Sequence, residues 1–258
     1  MRRGFPTPYA EENALAGAIL TGARAALGDQ FVGLYLHGSV ATGDFDPGRS
    51  DIDFLVVTRT DLPDGAVAAL NEMHARIAAS DLTWTSNYEG SYIPMGALRR
   101  YDPAHSIHPV IRCDGSFGLD EHRSEWVIQR HILRERGIAV AGPSPETLVA
   151  PVAPTELRQA QKRLLEEWWR PQLAAPFRLA DAEYQAYAIL TMCRALYTLE
   201  SGRIASKPEA VRWAGHALEP RWADLAGRAL AWRHGDQLGL REGALAFIQY
   251  TLDHVGDV

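Results

Sequence analysis

The stretch HGSVATGDFDPGRSDIDFLVV, from His37 to Val57, decides our interpretation of the fold. It begins at the end of FVGLYLHG, an apolar run with the length and residue types of a short strand. The glycines, proline and aspartates of VATGDFDPGRS predict a loop. DIDFLVVT, from Asp51 to Thr58, then predicts a second, buried strand. The pattern is therefore strand, Gly-Ser turn, loop and strand, with two aspartates where the second strand begins.

These aspartates and the turn before them predict a phosphate and metal site. Asp51 and Asp53 are two residues apart, so a strand directs both carboxylates to one face. Such a pair suits Mg²⁺, which binds one or two carboxylates together with substrate phosphates. Gly38 allows close approach of a phosphate, and Ser39 and Ser50 add hydroxyl groups. An isolated Asp-x-Asp is more often a turn, but here it enters an apolar strand, where unpaired charge is costly.

Composition limits the class of protein. The 258 residues allow one large domain or two small ones. The net charge of −6 excludes a protein that holds long nucleic acid through its phosphates. Cys113 and Cys193 are far apart, which predicts reduced thiols rather than a disulfide or zinc site. The N-terminal stretch lacks the apolar segment of a signal peptide, and no apolar run of about 18 residues occurs, so we expect a cytoplasmic protein that does not enter a membrane.

The hydrophobic pattern changes near residue 150. Before it, we predict helices at 9–27, 62–80 and 121–137, and strands at 31–38, 51–58 and 82–94. We also predict a long loop at 96–118 that leaves room for one short strand, and a short strand after Gly137. After it, we predict helices alone, at 155–173, 180–202, 207–218, 221–235 and 243–256. The chain therefore divides into an N-terminal α/β part and a C-terminal helical bundle.

The motif Gly-Ser followed by Ser-Asp-x-Asp resembles the signature of the DNA polymerase β-like nucleotidyltransferases. GIAVAGP, ILTMCRALYTLESGRIASKPEAVRWA and RALAWRHG resemble, in order, segments of the aminoglycoside 3″/9-adenylyltransferases, which modify streptomycin and spectinomycin. The similarity spans about residues 10–250 and is loosest between Gly96 and Asp120. It implies an α+β fold with a nucleotidyltransferase domain at 1–150, a mixed sheet with helices, and a helical domain at 151–258 that closes the ATP and substrate cleft.

The resemblance also implies a division of roles in the N-terminal part. Gly38 and Ser39 would grip the triphosphate of ATP, and Asp51 and Asp53 would hold the divalent metal. Glu89, in NYEGSYIP, lies where the family keeps its general base. An attacking hydroxyl needs such a base, because it is a poor nucleophile until it loses its proton. The alternative is that Glu89 is a solvent-facing strand residue.

In the C-terminal part the resemblance implies nucleotide contacts. Arg194 and Lys207 match family positions that touch the triphosphate, the alternative being structural salt bridges. Trp232 lies where the family has an aromatic residue near the adenine, and the alternative is a core tryptophan. Glu125 matches an acidic residue that opens a helix, where it either touches the substrate or favours the helix N-terminus.

Acceptor recognition is where the chain departs from the family. The streptomycin-type enzymes carry a tryptophan in the loop that reads AHSIHPVIRCDG here, and an aspartate where this chain has Tyr184. Both losses disfavour streptomycin and leave spectinomycin open. His105, His108 and His122 lie near this loop, but their spacing fits no standard zinc pattern.

The sequence therefore predicts Mg²⁺-dependent transfer of AMP from ATP to a hydroxyl of an aminoglycoside-type antibiotic, spectinomycin-like rather than streptomycin, with release of pyrophosphate. We expect a monomer, and the acidic net charge suits a cationic acceptor. Two alternatives stay open: a different small-molecule or protein acceptor, and a nucleotide-binding sensor without turnover. Retention of all three carboxylates, Asp51, Asp53 and Glu89, favours an enzyme.

Overall fold

The computed structural model describes residues 6–47, 50–233, 236 and 239–256. They form two compact units, one up to Pro151 and the other from Val152. Among these residues, no helix combines the length and the apolar character that crossing a membrane requires.

The first unit is built on one mixed sheet. Its strands are β1 (Phe31–Leu36), β2 (Ile52–Thr58), β3 (Tyr88–Pro94), β4 (Ile107–Ile111), β5 (Phe117–Glu121) and β6 (Ile138–Ala141). Their order is β5-β4-β3-β2-β1-β6. β2 and β3 run parallel, and every other neighbouring pair is antiparallel. The predicted mixed sheet is thus confirmed.

Both faces of this sheet are covered. Its unit contains the helices α1 (Ala10–Leu27), α2 (Gly38–Thr42), α3 (Asp64–Ala78), α4 (Met95–Arg99), α5 (Glu125–Arg136) and α6 (Pro145–Leu148). Successive residues of β2 alternate between two apolar clusters: Phe54 and Val56 belong to one, and Leu55 and Val57 to the other. A strand buried on both faces reads as a continuous apolar run, which explains the sequence FLVV.

The irregular stretches contain more structure than predicted. The predicted strand 31–38 ends at Leu36, and α2 includes its last residue and the start of the predicted loop VATGDFDPGRS. The predicted strand 82–94 starts only at Tyr88. The predicted loop 96–118 instead contains most of α4, all of β4 and the start of β5. The helix predicted from residue 121 begins at Glu125, because the chain is still completing β5 at Glu121.

The second unit is helical, as predicted. Its helices are α7 (Pro154–Leu164), α8 (Arg170–Ala174), α9 (Ala182–Ser201), α10 (Lys207–Ala217), α11 (Pro220–Ala231) and α12 (Arg241–Asp253). A π-helical turn, Leu165–Trp169, separates α7 from α8. Pro171 follows this turn and has no N–H for the usual helical ladder. α9 lies at the centre and packs against α7, α10, α11 and α12.

Candidate active site

The sheet register brings the predicted carboxylates together. In the parallel pair β2 and β3, Asp53 lies directly beside Glu89. Asp51 precedes β2 and is two residues from Asp53, so it faces the same side of the strand. Asp51 and Asp53 are half-buried, whereas the Glu89 side chain reaches solvent. Three carboxylates from two adjacent strands therefore occupy one place at the edge where both strands begin.

Gly38 lies directly against the carboxylate of Asp53. The chain leaves β1 through His37, whose N–H donates to the carbonyl of Asp53 at 3.1 Å. Gly38 follows with φ +59°, a left-handed backbone that L side chains rarely adopt. A Cβ at this position would lie 1.7 Å from Oδ2 of Asp53. The position therefore requires glycine for two reasons, its backbone conformation and the approach of Asp53.

Cys113 joins the carboxylates, which the sequence did not predict. It follows β4, and its Sγ lies 3.8 Å from Oδ2 of Asp51 and 3.6 Å from Oε2 of Glu89. The ligand atoms of these three residues all lie within 4.8 Å of one another, the one grouping of at least three such ligands that the described residues contain. Two carboxylates and a thiol can hold a divalent cation. Asp53 is linked to the group through a hydrogen bond with Glu89.

Crowding changes the acidity of this cluster. Although the Glu89 side chain reaches solvent, its carboxyl group is surrounded by protein atoms, and this burial raises its pKa. The negative charge of Asp51 raises it further, while hydrogen bonds with Cys113 and Asp53 act in the opposite direction. Burial also raises the pKa of the Cys113 thiol, with further contributions from Glu89 and Asp51. Glu89 is thus a stronger proton acceptor than an ordinary glutamate.

The carboxylates open into a pocket of about 240 Å³ within the first unit. Asp53, Glu89 and His37 line one part of it, and Trp126 and Gln129 of α5 line another. Its wall also carries the acidic residues Asp120, Glu121 and Glu125. The acidic lining is suited to a cation or a cationic group.

Two pocket residues have defined partners. Glu125 opens α5, and its Oε1 accepts the N–H of Arg123 at 3.0 Å, so it supports the helix start while lining the pocket. The Trp126 ring stacks on His122, with centroids 3.7 Å apart and planes inclined by 10°. These contacts hold the pocket wall in one arrangement.

The two predicted serines differ in their surroundings. The Ser39 hydroxyl has no hydrogen-bond partner among the residues that the structure describes, and it lies in α2 beside Gly38. The Ser50 hydroxyl accepts the N–H of Asp46 at 3.1 Å, and its carbonyl accepts the Asn87 side chain at 3.0 Å. The Ser39 hydroxyl is therefore a buried polar group without a partner among the described residues, whereas Ser50 holds the loop that leads into Asp51.

The histidines near β4 form no metal site within the described ranges. His105 pairs with Asp102 at 3.0 Å on the surface. His108 and His122 are buried with their rings 4.8 Å apart, and burial lowers their pKa to about 4 and about 2. Both are neutral rings that pack inside the unit.

Two predicted triphosphate residues lie on helices of the second unit. Arg194 is half-buried in α9 and takes no part in the ion pairs found across the described part of the chain. Lys207 is the first residue of α10, immediately after the Ser206 cap. The predicted contact of both residues with the triphosphate stays a prediction.

Trp232 and Tyr184 are integrated into the packing of the second unit. Trp232 ends α11, is only 6% exposed and donates from Nε1 to the carbonyl of Asp236 at 3.1 Å. The ring belongs to the core cluster of this unit, and its predicted contact with adenine stays a prediction. Tyr184, near the start of α9, is half-buried with its ring centroid 5.5 Å from that of Tyr187.

Two family models match the chain, one in the first unit and one almost entirely in the second. Residues 23–89 match the family model described as a nucleotidyltransferase domain. Residues 147–254 match the model described as the C-terminal domain of aminoglycoside adenylyltransferase. The fold and these matches support a nucleotidyltransferase.

Relatives extend the match along the chain. An aminoglycoside (3″) (9) adenylyltransferase of Escherichia coli is 26% identical over 249 residues, covering 87% of this chain and 88% of that protein. A protein of the same name from Klebsiella pneumoniae is 26% identical, covering 87% of each. The chain is therefore similar to the aminoglycoside adenylyltransferases over most of its length, and these matches support an adenylyltransferase enzyme.

A solved structure has the same fold. It is the spectinomycin adenyltransferase AAD(9) from Enterococcus faecialis, determined with ATP and spectinomycin. The TM-score is 0.74 with 18% sequence identity, covering 93% of this chain and 97% of that one. At this identity the comparison establishes the shared fold.

Proposed function

We propose that this chain transfers AMP from Mg²⁺-bound ATP to a hydroxyl of an aminoglycoside-type antibiotic, spectinomycin-like rather than streptomycin, and releases pyrophosphate. The observation that carries the proposal is the β2–β3 register, which places Asp53 beside Glu89 with Asp51 on the same side. The names of the relatives, and the ATP and spectinomycin in the AAD(9) structure, support the choice of substrates.

Glu89 is the proposed general base. It takes the proton of the acceptor hydroxyl as the oxygen attacks the α-phosphate, and the bond from that phosphate to the leaving pyrophosphate breaks. The raised pKa of its carboxyl group suits this step, because a more basic carboxylate accepts a proton more readily. Its contact with Asp53 keeps the base beside the metal-binding carboxylates.

Asp51 and Asp53 are the proposed holders of Mg²⁺. The cation, when bound, neutralises charge on the phosphates and stabilises the developing charge of the leaving group. Gly38 keeps the backbone beside Asp53 free of side-chain atoms. The Ser39 hydroxyl, which is buried and has no hydrogen-bond partner among the described residues, is proposed to contact a phosphate oxygen. Arg194 and Lys207 are proposed to supply positive charge to the triphosphate.

The acceptor is proposed to be cationic. Asp120, Glu121 and Glu125 line the same pocket as Glu89. Carboxylates beside the proposed base favour ammonium groups on the acceptor. The segment from β4 to β5 contains no tryptophan, the feature whose absence disfavours streptomycin. A compact amino sugar of the spectinomycin type therefore fits the proposal better.

The test is pyrophosphate release from ATP and Mg²⁺ in the presence of spectinomycin, streptomycin and other amino sugars. We expect release with spectinomycin and little with streptomycin. Absence of release with every acceptor would overturn the proposed antibiotic substrate.

A variant pair tests the base. Glu89→Gln should keep ATP binding and lose transfer by about 100-fold or more, the contribution typical of general base catalysis. The matched control is Glu72→Gln, which removes a charge from an exposed residue of α3. Equal turnover by the two variants would remove Glu89 from the mechanism.

A further inference from the structure

The donor atoms around Asp51 do not form a typical magnesium site. Mg²⁺ prefers oxygen ligands alone, whereas a thiol favours zinc and other thiophilic cations. Here the Cys113 Sγ lies 3.6 Å from Oε2 of Glu89 and 3.8 Å from Oδ2 of Asp51. Cys113 is half-buried beside these carboxylates.

These separations match those of ligands that share one ion. Sulfur and oxygen ligands of a tetrahedral zinc ion lie at about 2.3 Å and 2.0 Å from the metal, which separates them by about 3.5 Å. The two observed sulfur–oxygen distances need only a few tenths of an ångström of adjustment to reach that value.

A second observation indicates that the pocket takes a polar occupant. His37 is 7% exposed and lines the pocket with Asp53 and Glu89, and its Nδ1 meets no hydrogen-bond partner within the described residues. Buried polar atoms without a partner are rare in native proteins, and a ligand is one common explanation.

We propose that Cys113, Asp51 and Glu89 together form a binding site for thiophilic divalent cations such as Zn²⁺ and Cd²⁺, which shares Asp51 with the proposed Mg²⁺ site. On binding, the Sγ–H bond breaks, its electron pair forms the sulfur–metal bond, and the proton leaves to solvent. Because the cation occupies Asp51, a proposed Mg²⁺ ligand, and Glu89, the proposed base, it competes with Mg²⁺ and inhibits transfer. The inference uses the proposed function only for this competition.

The direct test is a titration of the protein with Cd²⁺, followed by the ultraviolet charge-transfer band of a cadmium–thiolate bond. The chain has two cysteines, so Cys193→Ala is a matched control: Cys193 is fully buried in the core of the second unit. We expect the band in the unaltered protein and in Cys193→Ala, and its loss in Cys113→Ser. Absence of the band in the unaltered protein, or its persistence in Cys113→Ser, would overturn the proposal.

A second variant tests whether the carboxylate and the thiol share the ion. Asp51→Asn should weaken Cd²⁺ binding by about tenfold or more, since it removes a charged ligand of the same cation. Unchanged affinity would show that the thiol binds cadmium alone, which contradicts the shared site.

A third measurement needs no substitution. Only Cys113 should react with a thiol reagent in the folded protein, because Cys193 is inaccessible. Zn²⁺ should slow this reaction at least tenfold, and Mg²⁺ should slow it much less. Equal protection by the two cations, or none by Zn²⁺, would contradict the proposal. None of these measurements depends on turnover, so a failure of the antibiotic substrate and a failure of the thiol ligand would be seen separately.

Discussion

Replacing Gly38 by alanine tests the geometry of the site at its tightest contact. The new Cβ would lie 1.7 Å from Oδ2 of Asp53, whereas real Cβ contacts are almost never under 3.0 Å. The carboxylate must therefore retreat by more than an ångström. A misplacement of about 1 Å in a catalytic group can cost about 100-fold in rate, which corresponds to about 2.7 kcal/mol of activation free energy. Alanine at φ +59° should also lower the free energy of unfolding by about 1–2 kcal/mol.

Gly43→Ala separates these two effects. Gly43 ends α2 with φ +82°, so alanine there meets a similar backbone cost. No atom lies within 4 Å of its Cβ position among the described residues, so Asp53 is not displaced. Urea unfolding should show similar losses of stability for the two variants, and pyrophosphate release should fall by about 100-fold only in Gly38→Ala. Equal activity of the two variants would refute the reasoning that the Asp53 approach explains Gly38.

Three further predictions concern the structure around the site. Burial lowers the pKa of His74 to about 3, against about 6.5 in an unfolded chain. The contribution of the neutral ring to stability is therefore complete above pH 6.5 and is lost as the pH falls towards 3, with a slope of up to about 1.4 kcal/mol per pH unit. Urea unfolding of the unaltered protein and of His74→Gln between pH 7.5 and pH 5 measures this loss. Gly90→Ala should cost about 1–3 kcal/mol in urea unfolding, because its Cβ would lie 2.3 Å from the Phe54 ring, and Phe54→Leu should relieve part of that cost. Trp232→Ala should lower the free energy of unfolding by about 3–5 kcal/mol, as expected for a buried core ring, while Trp232→Phe keeps the KM for ATP within a few fold.

Each of these three predictions has a result that would contradict it. An unchanged pH dependence in His74→Gln would mean that this ring is not a neutral buried group. Additive losses in Gly90→Ala and Phe54→Leu would mean that the two positions do not compete for space. A large rise in KM for Trp232→Phe with unchanged stability would restore the predicted contact with adenine.

The sequence predicted the elements whose hydrophobic period is uninterrupted. α1, β1, β2 and α3 each bury a regular apolar pattern, and their positions followed from it. The hairpin of β4 and β5 was not predicted, because β4 contains a proline inside the strand and the only large apolar residues of β5 are Phe117 and Leu119. These short segments have a low intrinsic preference for strand, and pairing with their neighbours in the sheet stabilises them as strands.

Dependence on strand pairing also explains why the sequence did not predict Cys113 as part of the site. Its distance from Asp51 depends on β4 pairing with β3, a contact between residues far apart in sequence. The three carboxylates could be proposed from a motif and a resemblance, but the thiol lies in the stretch where the resemblance is loosest. Trp232 shows the complementary case: a family position suggested adenine, while local packing placed the ring in the core.

The most direct test of the central claim follows the α-phosphate of ATP. Labelled ATP, Mg²⁺ and spectinomycin are incubated with the protein, and the products are separated. The account predicts that label appears on the acceptor in equal amount to released pyrophosphate, and that Asp53→Asn abolishes both. Label recovered only as free AMP, or transfer that survives in Asp53→Asn, would contradict the assignment of these carboxylates to nucleotide transfer.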